Sequence, residues 1–143
     1  QINMGIAVDT PRGLLVPVIA DIANQSVKDI AEAITRLGEK ARAGKLQPRE
    51  MKGGSITLSN LGGLGVSGVF PVVNWPEVAI LGVGAGEWVP TYVSGDISAA
   101  PEPRLIMPLT LAFDHRVING ADGARFLDTI AELCENPFLV MLG

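Results

Sequence analysis

The chain has a single histidine among 143 residues. It lies in Asp114-His115-Arg116-Val117-Ile118-Asn119-Gly120, between an apolar strand-like run and a helix-like one. Histidine is the side chain whose ordinary titration falls nearest physiological pH, which makes it the natural general base. A strand end that delivers His115 into a tight polar turn, and not into the core, puts it where loops carry function. Its neighbours have narrower options. Asp114 and Arg116 read as an ion pair or hydrogen bonds that fix the turn. Asn119 carries an amide, which cannot ionise, so it can only orient groups or cap the helix that follows. Cys134 is the sole cysteine. It stands on the apolar face of a helical stretch, so we expect a buried, inert thiol and no nucleophile. A lone cysteine also excludes an intrachain disulfide and fits a reducing compartment. One histidine and one cysteine offer no structural zinc site.

These residues need elements to hold them. Met4 to Val8 and Gly13 to Ile19 are strand candidates around the turn Asp9-Thr10-Pro11-Arg12-Gly13. Ser26 is placed to N-cap a helix in which Val27, Ile30, Ile34, Leu37 and Ala41 recur at helical spacing, and Gly44 stops it. Lys28, Glu32, Arg36 and Lys40 lie off that stripe, on a solvated face. Ser55 to Asn60 and Val78 to Val83 read as short strands and Leu105 to Phe113 as a longer one, the last leading to His115. Trp88 to Pro103 reads as a hairpin or excursion. Gly62 to Gly68 is too rich in glycine for a regular element: it is a loop or bulge, or backbone kept bare for a thin substrate. No Gly-Lys-Ser/Thr follows it, so it is not a phosphate-binding P-loop. A last helix, about Ala121 to Glu135, places Ala124, Leu127, Ile130, Ala131 and Cys134 on one face and ends at Asn136-Pro137. The sum is a mixed α+β pattern, a sheet with helices largely to one side.

Composition narrows the classes. With 48% hydrophobic and 18% charged residues the chain can fill a core and is not disordered. No apolar run reaches the roughly 18 residues of a membrane span, and no signal-peptide pattern opens the chain. A formal net charge of −4 argues against a nucleic-acid surface. There are no internal repeats and no linker.

Three blocks resemble one family. The turn, continued as Ala121-Asp122-Gly123-Ala124-Arg125-Phe126-Leu127, is similar to the Asp-His-Arg-Val-x-(Asp/Asn)-Gly-Ala signature of the dihydrolipoyl acyltransferases, the core subunits of 2-oxo acid dehydrogenase complexes. Gly53-Gly54-Ser55-Ile56-Thr57-Leu58-Ser59-Asn60 resembles the family's Gly-Gly-x-Phe-Thr-Ile-Ser-Asn stretch. Asn74-Trp75-Pro76-Glu77-Val78-Ala79-Ile80-Leu81-Gly82 resembles its Asn-x-Pro-Glu-Val-Ala-Ile-Leu-Gly run. The blocks stand in the family's order and span nearly the whole chain. The segment Gln1 to Val8 reads as an internal strand, so residues 1–143 are expected to form the C-terminal part of the catalytic domain.

The resemblance implies a chloramphenicol-acetyltransferase-like fold, assembled as a homotrimer and further into a 24-mer or a 60-mer core. It implies transfer of an acyl group, acetyl being favoured by Asn119 and the Ser-Asn-Leu-Gly context, between a lipoyl thioester and coenzyme A. A thiol is a poor nucleophile until deprotonated; on this resemblance His115 is its base, Ser59 supplies the donor for the oxyanion, and Asn119 orients. The implied partners are a lipoyl domain bearing lipoate, a 2-oxo acid decarboxylase and dihydrolipoyl dehydrogenase. Neither nucleic acid, membrane nor metal is expected. The implied location is the bacterial cytoplasm, or the mitochondrial matrix in a eukaryote. His115 and Ser59 are expected to meet across a subunit interface, and the apolar Pro137–Leu142 segment to dock on a neighbour. Two departures stand out: Ala20, where many relatives carry arginine, should alter surface contacts, and the bulky Trp75 should alter packing near a channel mouth. Two other classes remain open, a non-catalytic scaffold core and a free-standing acetyltransferase of the antibiotic-modifying kind.

Overall fold

In the computed structural model, which describes residues 1–93 and 95–142, the apolar run at the start does not make one strand. It divides into β1 (Met4–Ile6) and β2 (Val8–Thr10). Between them the Ala7 N–H donates to the Leu58 carbonyl at 2.9 Å. β2 then leaves the sheet and pairs with β3 (Gly13–Leu15) as an antiparallel ribbon. The turn that closes it is held by Thr10, whose hydroxyl donates to the Gly13 carbonyl at 2.6 Å. Gly13 takes φ 109°, which a side chain would resist. The expected single strand from Gly13 to Ile19 is interrupted at Pro17, which has no N–H for a ladder. The chain re-enters the sheet as β4 (Val18–Ile19), antiparallel to β1.

The main sheet has the order β4-β1-β5-β6-β9, with β5 (Ile56–Asn60), β6 (Ala79–Val83) and β9 (Leu109–Phe113). β5 is central and parallel to both β1 and β6, while β9 runs antiparallel to β6. The long strand expected from Leu105 to Phe113 is broken at Met107-Pro108. Pro108 offers no donor, and its carbonyl accepts from the Gly84 N–H at 3.0 Å. The residues before the break, β8 (Glu102–Ile106), pair instead with β7 (Glu87–Thr91). That hairpin is the excursion expected over 88–103, of which Ser94 lies outside the described residues.

Strand alternation sorts the sheet into two faces. Gly5, Thr57, Ser59, Ile80, Gly82 and Thr110 share one; Met4, Leu58, Leu81, Leu111 and Phe113 share the other. Val69 is buried over Gly82, where an added Cβ would stand 2.8 Å from it. The helix α1 (Val27–Arg42) starts at Ser26 in a capping box with Asp29 and buries Leu37, Gly38 and Ala41 against β2 and β4. Val27 and Ile34 of the expected stripe stay exposed. Gly44 takes φ 67° just beyond the helix end, as expected.

The second helix, α2 (Gly120–Glu135), crosses the other face at Gly123, where a Cβ would come 2.6 Å from the Phe113 ring. Its expected apolar face is only partly covered. Leu127, Ile130 and Ala131 are half-buried, whereas Ala124 and Cys134 are exposed. The buried thiol expected at Cys134 is therefore corrected: contact between α2 and the sheet runs through β9. Beside that contact lies an open apolar groove of about 600 Å³ lined by Met4, Leu58, Leu81, Leu111, Phe126 and Ile130. A short α3 (Pro137–Leu142) follows, with Phe138, Leu139 and Val140 exposed; the side chains of Met141 and Leu142 lie outside the description.

Candidate active site

His115 is carried by a turn between β9 and α2 that is tied at both ends. The Asp114 N–H donates to the Val78 carbonyl at 2.8 Å, and the Val117 and Ile118 N–H groups donate to the Asp114 carbonyl at 3.0 Å each. The Asp114 carboxylate accepts from the Arg116 backbone N–H at 2.9 Å and from its guanidinium at 2.6 to 3.0 Å. These Arg116 side-chain bonds, then the backbone bond, hold the Asp114 carboxyl down at about 2. The ion-pair reading of Asp114 and Arg116 thus describes what they do: they brace the turn.

Asn119 N-caps α2. Its side-chain oxygen accepts from the Asp122 N–H at 2.9 Å, and its amide group donates to the Asp122 carboxylate. Arg125 donates to the same carboxylate at 2.7 Å. With its neighbours engaged in this way, His115 is exposed and makes no hydrogen bond among the described residues. Its ring leans on Phe113, with centroids 5.8 Å apart at 42°. The imidazole is positioned yet open to a reactant.

Ser59 is half-buried near the end of β5, in register with Gly82 of β6, which in turn faces Thr110 of β9. His115 lies beyond the far end of β9. From Thr110 to Phe113 alone the strand advances about 10 Å, and His115 is two residues further on. The structure therefore does not bring Ser59 and His115 together within one chain.

The stretch after Ser59 shows why it is rich in glycine. The Asn60 side chain accepts from the Gly62 N–H at 2.9 Å, opening a single tight turn over Gly62–Leu64. Gly62 and Gly84 are used for close backbone packing: a Cβ on Gly84 would stand 2.3 Å from the Ser67 carbonyl oxygen. Gly63 and Gly65 differ, since an added Cβ there would meet nothing within 4 Å. The loop or bulge reading of this stretch therefore holds for Gly62, while Gly63 and Gly65 leave open space beside the backbone.

Ala20 is exposed, in line with a surface role. Trp75 is 87% exposed and Phe70 90%, so neither packs against the rest of this chain. The pair Thr57 and Glu77, buried and hydrogen-bonded at 2.5 Å, was not singled out from sequence. Both residues stand in blocks that resemble the family's motifs, but neither their types nor their spacing in the sequence tells that they pair. Among the described residues no three His, Cys, Asp or Glu side chains come together as a metal site. No described helix is long and apolar enough to cross a membrane.

The family model for the 2-oxoacid dehydrogenases acyltransferase catalytic domain matches residues 1–142. The chain is 45% identical over 132 residues to the dihydrolipoyllysine-residue acetyltransferase component of the pyruvate dehydrogenase complex of Haemophilus influenzae, covering 92% of this chain and 23% of that protein. It superposes on the dihydrolipoamide acetyltransferase of Azotobacter vinelandii with a TM-score of 0.90 at 42% identity, covering 98% of this chain and 56% of that one. That structure was studied for the role of a serine, a histidine and an asparagine in the catalytic mechanism; its histidine and asparagine are spaced as His115 and Asn119 are. A cubic core of the pyruvate dehydrogenase multienzyme complex matches equally, with a TM-score of 0.90 at 43% identity and the same coverage. The chain thus spans about a quarter of that curated relative and just over half of those solved chains. It belongs to the 2-oxoacid dehydrogenase acyltransferase family, and its mixed α+β architecture matches just over half of the solved catalytic cores of that family.

Proposed function

We propose that this family member transfers an acyl group, acetyl by the names of its relatives, between the thioester of a dihydrolipoyl arm and the thiol of coenzyme A. The observation that carries the reading is the His115 turn: a braced loop presents an exposed imidazole whose neighbours are all committed elsewhere. His115 takes the proton from the incoming thiol as its sulfur attacks the thioester carbon, and returns that proton to the departing sulfur. Ser59 donates a hydrogen bond to the carbonyl oxygen as it gains charge. Asn119, held in its cap, keeps the start of α2 in place behind the base. Gly63 and Gly65 leave the approach past the end of β5 clear of side chains, which suits a thin thiol-bearing arm. The serine, histidine and asparagine studied in the Azotobacter protein support these three assignments.

The separation of Ser59 and His115 makes the site composite. One copy supplies the base and a second supplies the hydroxyl, a head-to-tail contact that closes on a three-fold axis. Exposed Phe70, Val72, Trp75, Trp88 and Ile97 give this chain more apolar surface than a monomer normally shows. The exposed residues of α3 fit docking on a neighbouring copy in the same way. The likeness to a cubic core favours cubic over dodecahedral assembly. The decarboxylase, the lipoyl domain and dihydrolipoyl dehydrogenase are the partners such a core serves.

His115→Ala in the full-length protein tests the reading. Turnover of acetyl-CoA with dihydrolipoamide should fall by about 10²- to 10⁴-fold with assembly unchanged. Turnover near that of the parent would rule out His115 as the base.

A further inference from the structure

We propose that Glu77 is a positioning residue for Ser59, acting through Thr57. The proposal rests on the reading of Ser59 as the oxyanion donor. Thr57 is 1% exposed and Glu77 8%. The Thr57 hydroxyl donates to Glu77 Oε2 at 2.5 Å, the short distance expected of a hydroxyl bonded to a carboxylate. Two glycines make room for this pair. A Cβ on Gly54 would stand 2.2 Å from Glu77 Oε1, and one on Gly5 would stand 2.6 Å from the Thr57 hydroxyl. The carboxylate thus sits in a slot built by β1, by the approach to β5 and by the segment before β6.

Such a slot is costly for a core. Burying a carboxylate requires desolvation that an apolar side chain of similar size avoids. What a carboxylate does, and an apolar group cannot, is draw the Thr57 hydroxyl and so pin β5 from one face. Ser59 is on that same face, about 7 Å further along the strand. β1 pairs only with Ile56, Thr57 and Leu58, so Ser59 and Asn60 have a ladder partner on the β6 side alone. The direction of the Ser59 side chain is therefore inherited from the anchored residues just before it. The next residue after Glu77 serves the other half of the chemistry, because the Val78 carbonyl accepts from the Asp114 N–H at 2.8 Å beside the base.

A double-mutant cycle in the full-length, assembled protein reads this directly, with acetyl-CoA and dihydrolipoamide as substrates. Thr57→Val should lower kcat on the order of 10-fold through misplacement of the donor, with KM for coenzyme A little changed. Thr57→Ser, which keeps the hydroxyl, should restore it. In a Ser59→Ala background the Thr57→Val loss should vanish, since there is no longer a donor to position. An equal loss in both backgrounds would mean general damage and would overturn the proposal, as would wild-type kcat in Thr57→Val. Should Thr57→Val fail to assemble, Glu77→Gln runs the same cycle, because it preserves shape and an acceptor while removing the carboxylate. There too a kcat loss confined to the Ser59 background is expected, and its absence is fatal. If Ser59→Ala alone turns over like the parent, the assignment of Ser59 fails, and the proposal with it; that single variant separates the two failures.

Discussion

On the proposed reading the role of Ser59 has its own kinetic signature, because its bond strengthens only as the carbonyl oxygen gains charge. A hydroxyl that bonds only the developing oxyanion contributes to the transition state and not to ground-state binding. Ser59→Ala should therefore cost on the order of 10²-fold in kcat while KM for coenzyme A holds; a raised KM with unchanged kcat would make Ser59 a binding residue. Asp114 gives a prediction in pH. Its folded carboxyl titrates at about 2, below the ordinary 3.8, because Arg116 bonds its charged form. A depressed acid contributes stability that is present above its unfolded value and is lost as pH falls through the folded one. The turn should keep its NMR amide shifts down to about pH 4 and lose them progressively toward pH 2. Asp114→Asn should abolish that acid transition, and its persistence would assign it to another group. At this scale the sequence was legible for the placement of His115, which stands exposed in a polar turn at a strand end as its neighbours implied. It was not legible for Glu77, since a buried partner 20 positions away leaves no mark on spacing.

Among elements, α1 tests the value of local signals. Ser26 and Asp29 form a reciprocal cap, the Asp29 N–H donating to the Ser26 hydroxyl at 3.2 Å and the Ser26 N–H to the Asp29 carboxylate at 3.2 Å. Ser26→Ala should destabilise the protein by about 1 kcal/mol in denaturant titration, with no change in kcat. At α2 the contact is steric. Gly123→Ala would place a Cβ 2.6 Å from the Phe113 ring, two residues before His115. It should lower both thermal stability and turnover, and a variant of normal stability and activity would show that helix and strand can part without consequence. Helix starts and stops are read from a few adjacent residues, so Ser26, Gly44 and Asn119 announced themselves. The breaks at Pro17 and Pro108 were passed over because apolar content continues across them; the missing donor, not hydrophobicity, decides where each strand ends.

For the molecule as a whole, the question is where the two halves of the site meet. If each site takes Ser59 from one copy and His115 from another, two inactive variants should complement. Co-assembly of Ser59→Ala with His115→Ala would create some sites holding both intact residues, and activity should reappear at a fraction of the parent value. A mixture as inactive as its components would place both residues of a site on one chain. Truncation before Pro137 should reduce assembly size by light scattering, since α3 leaves Phe138, Leu139 and Val140 exposed on this chain. An unchanged particle would remove α3 from the interface.

The sequence by itself determined the family, the His115 turn and the α+β class, because a short turn motif and alternating apolar runs are local properties that survive without a fold. The tertiary structure decided the rest. It set β5 between two parallel neighbours, sent β8 out of the sheet and exposed Cys134. It also put Ser59 and His115 at opposite ends of the sheet, which follows from β9 running antiparallel to β6 while β5 runs parallel to it. Strand direction and register depend on which strands pair over long sequence separations, and no window of residues carries that information.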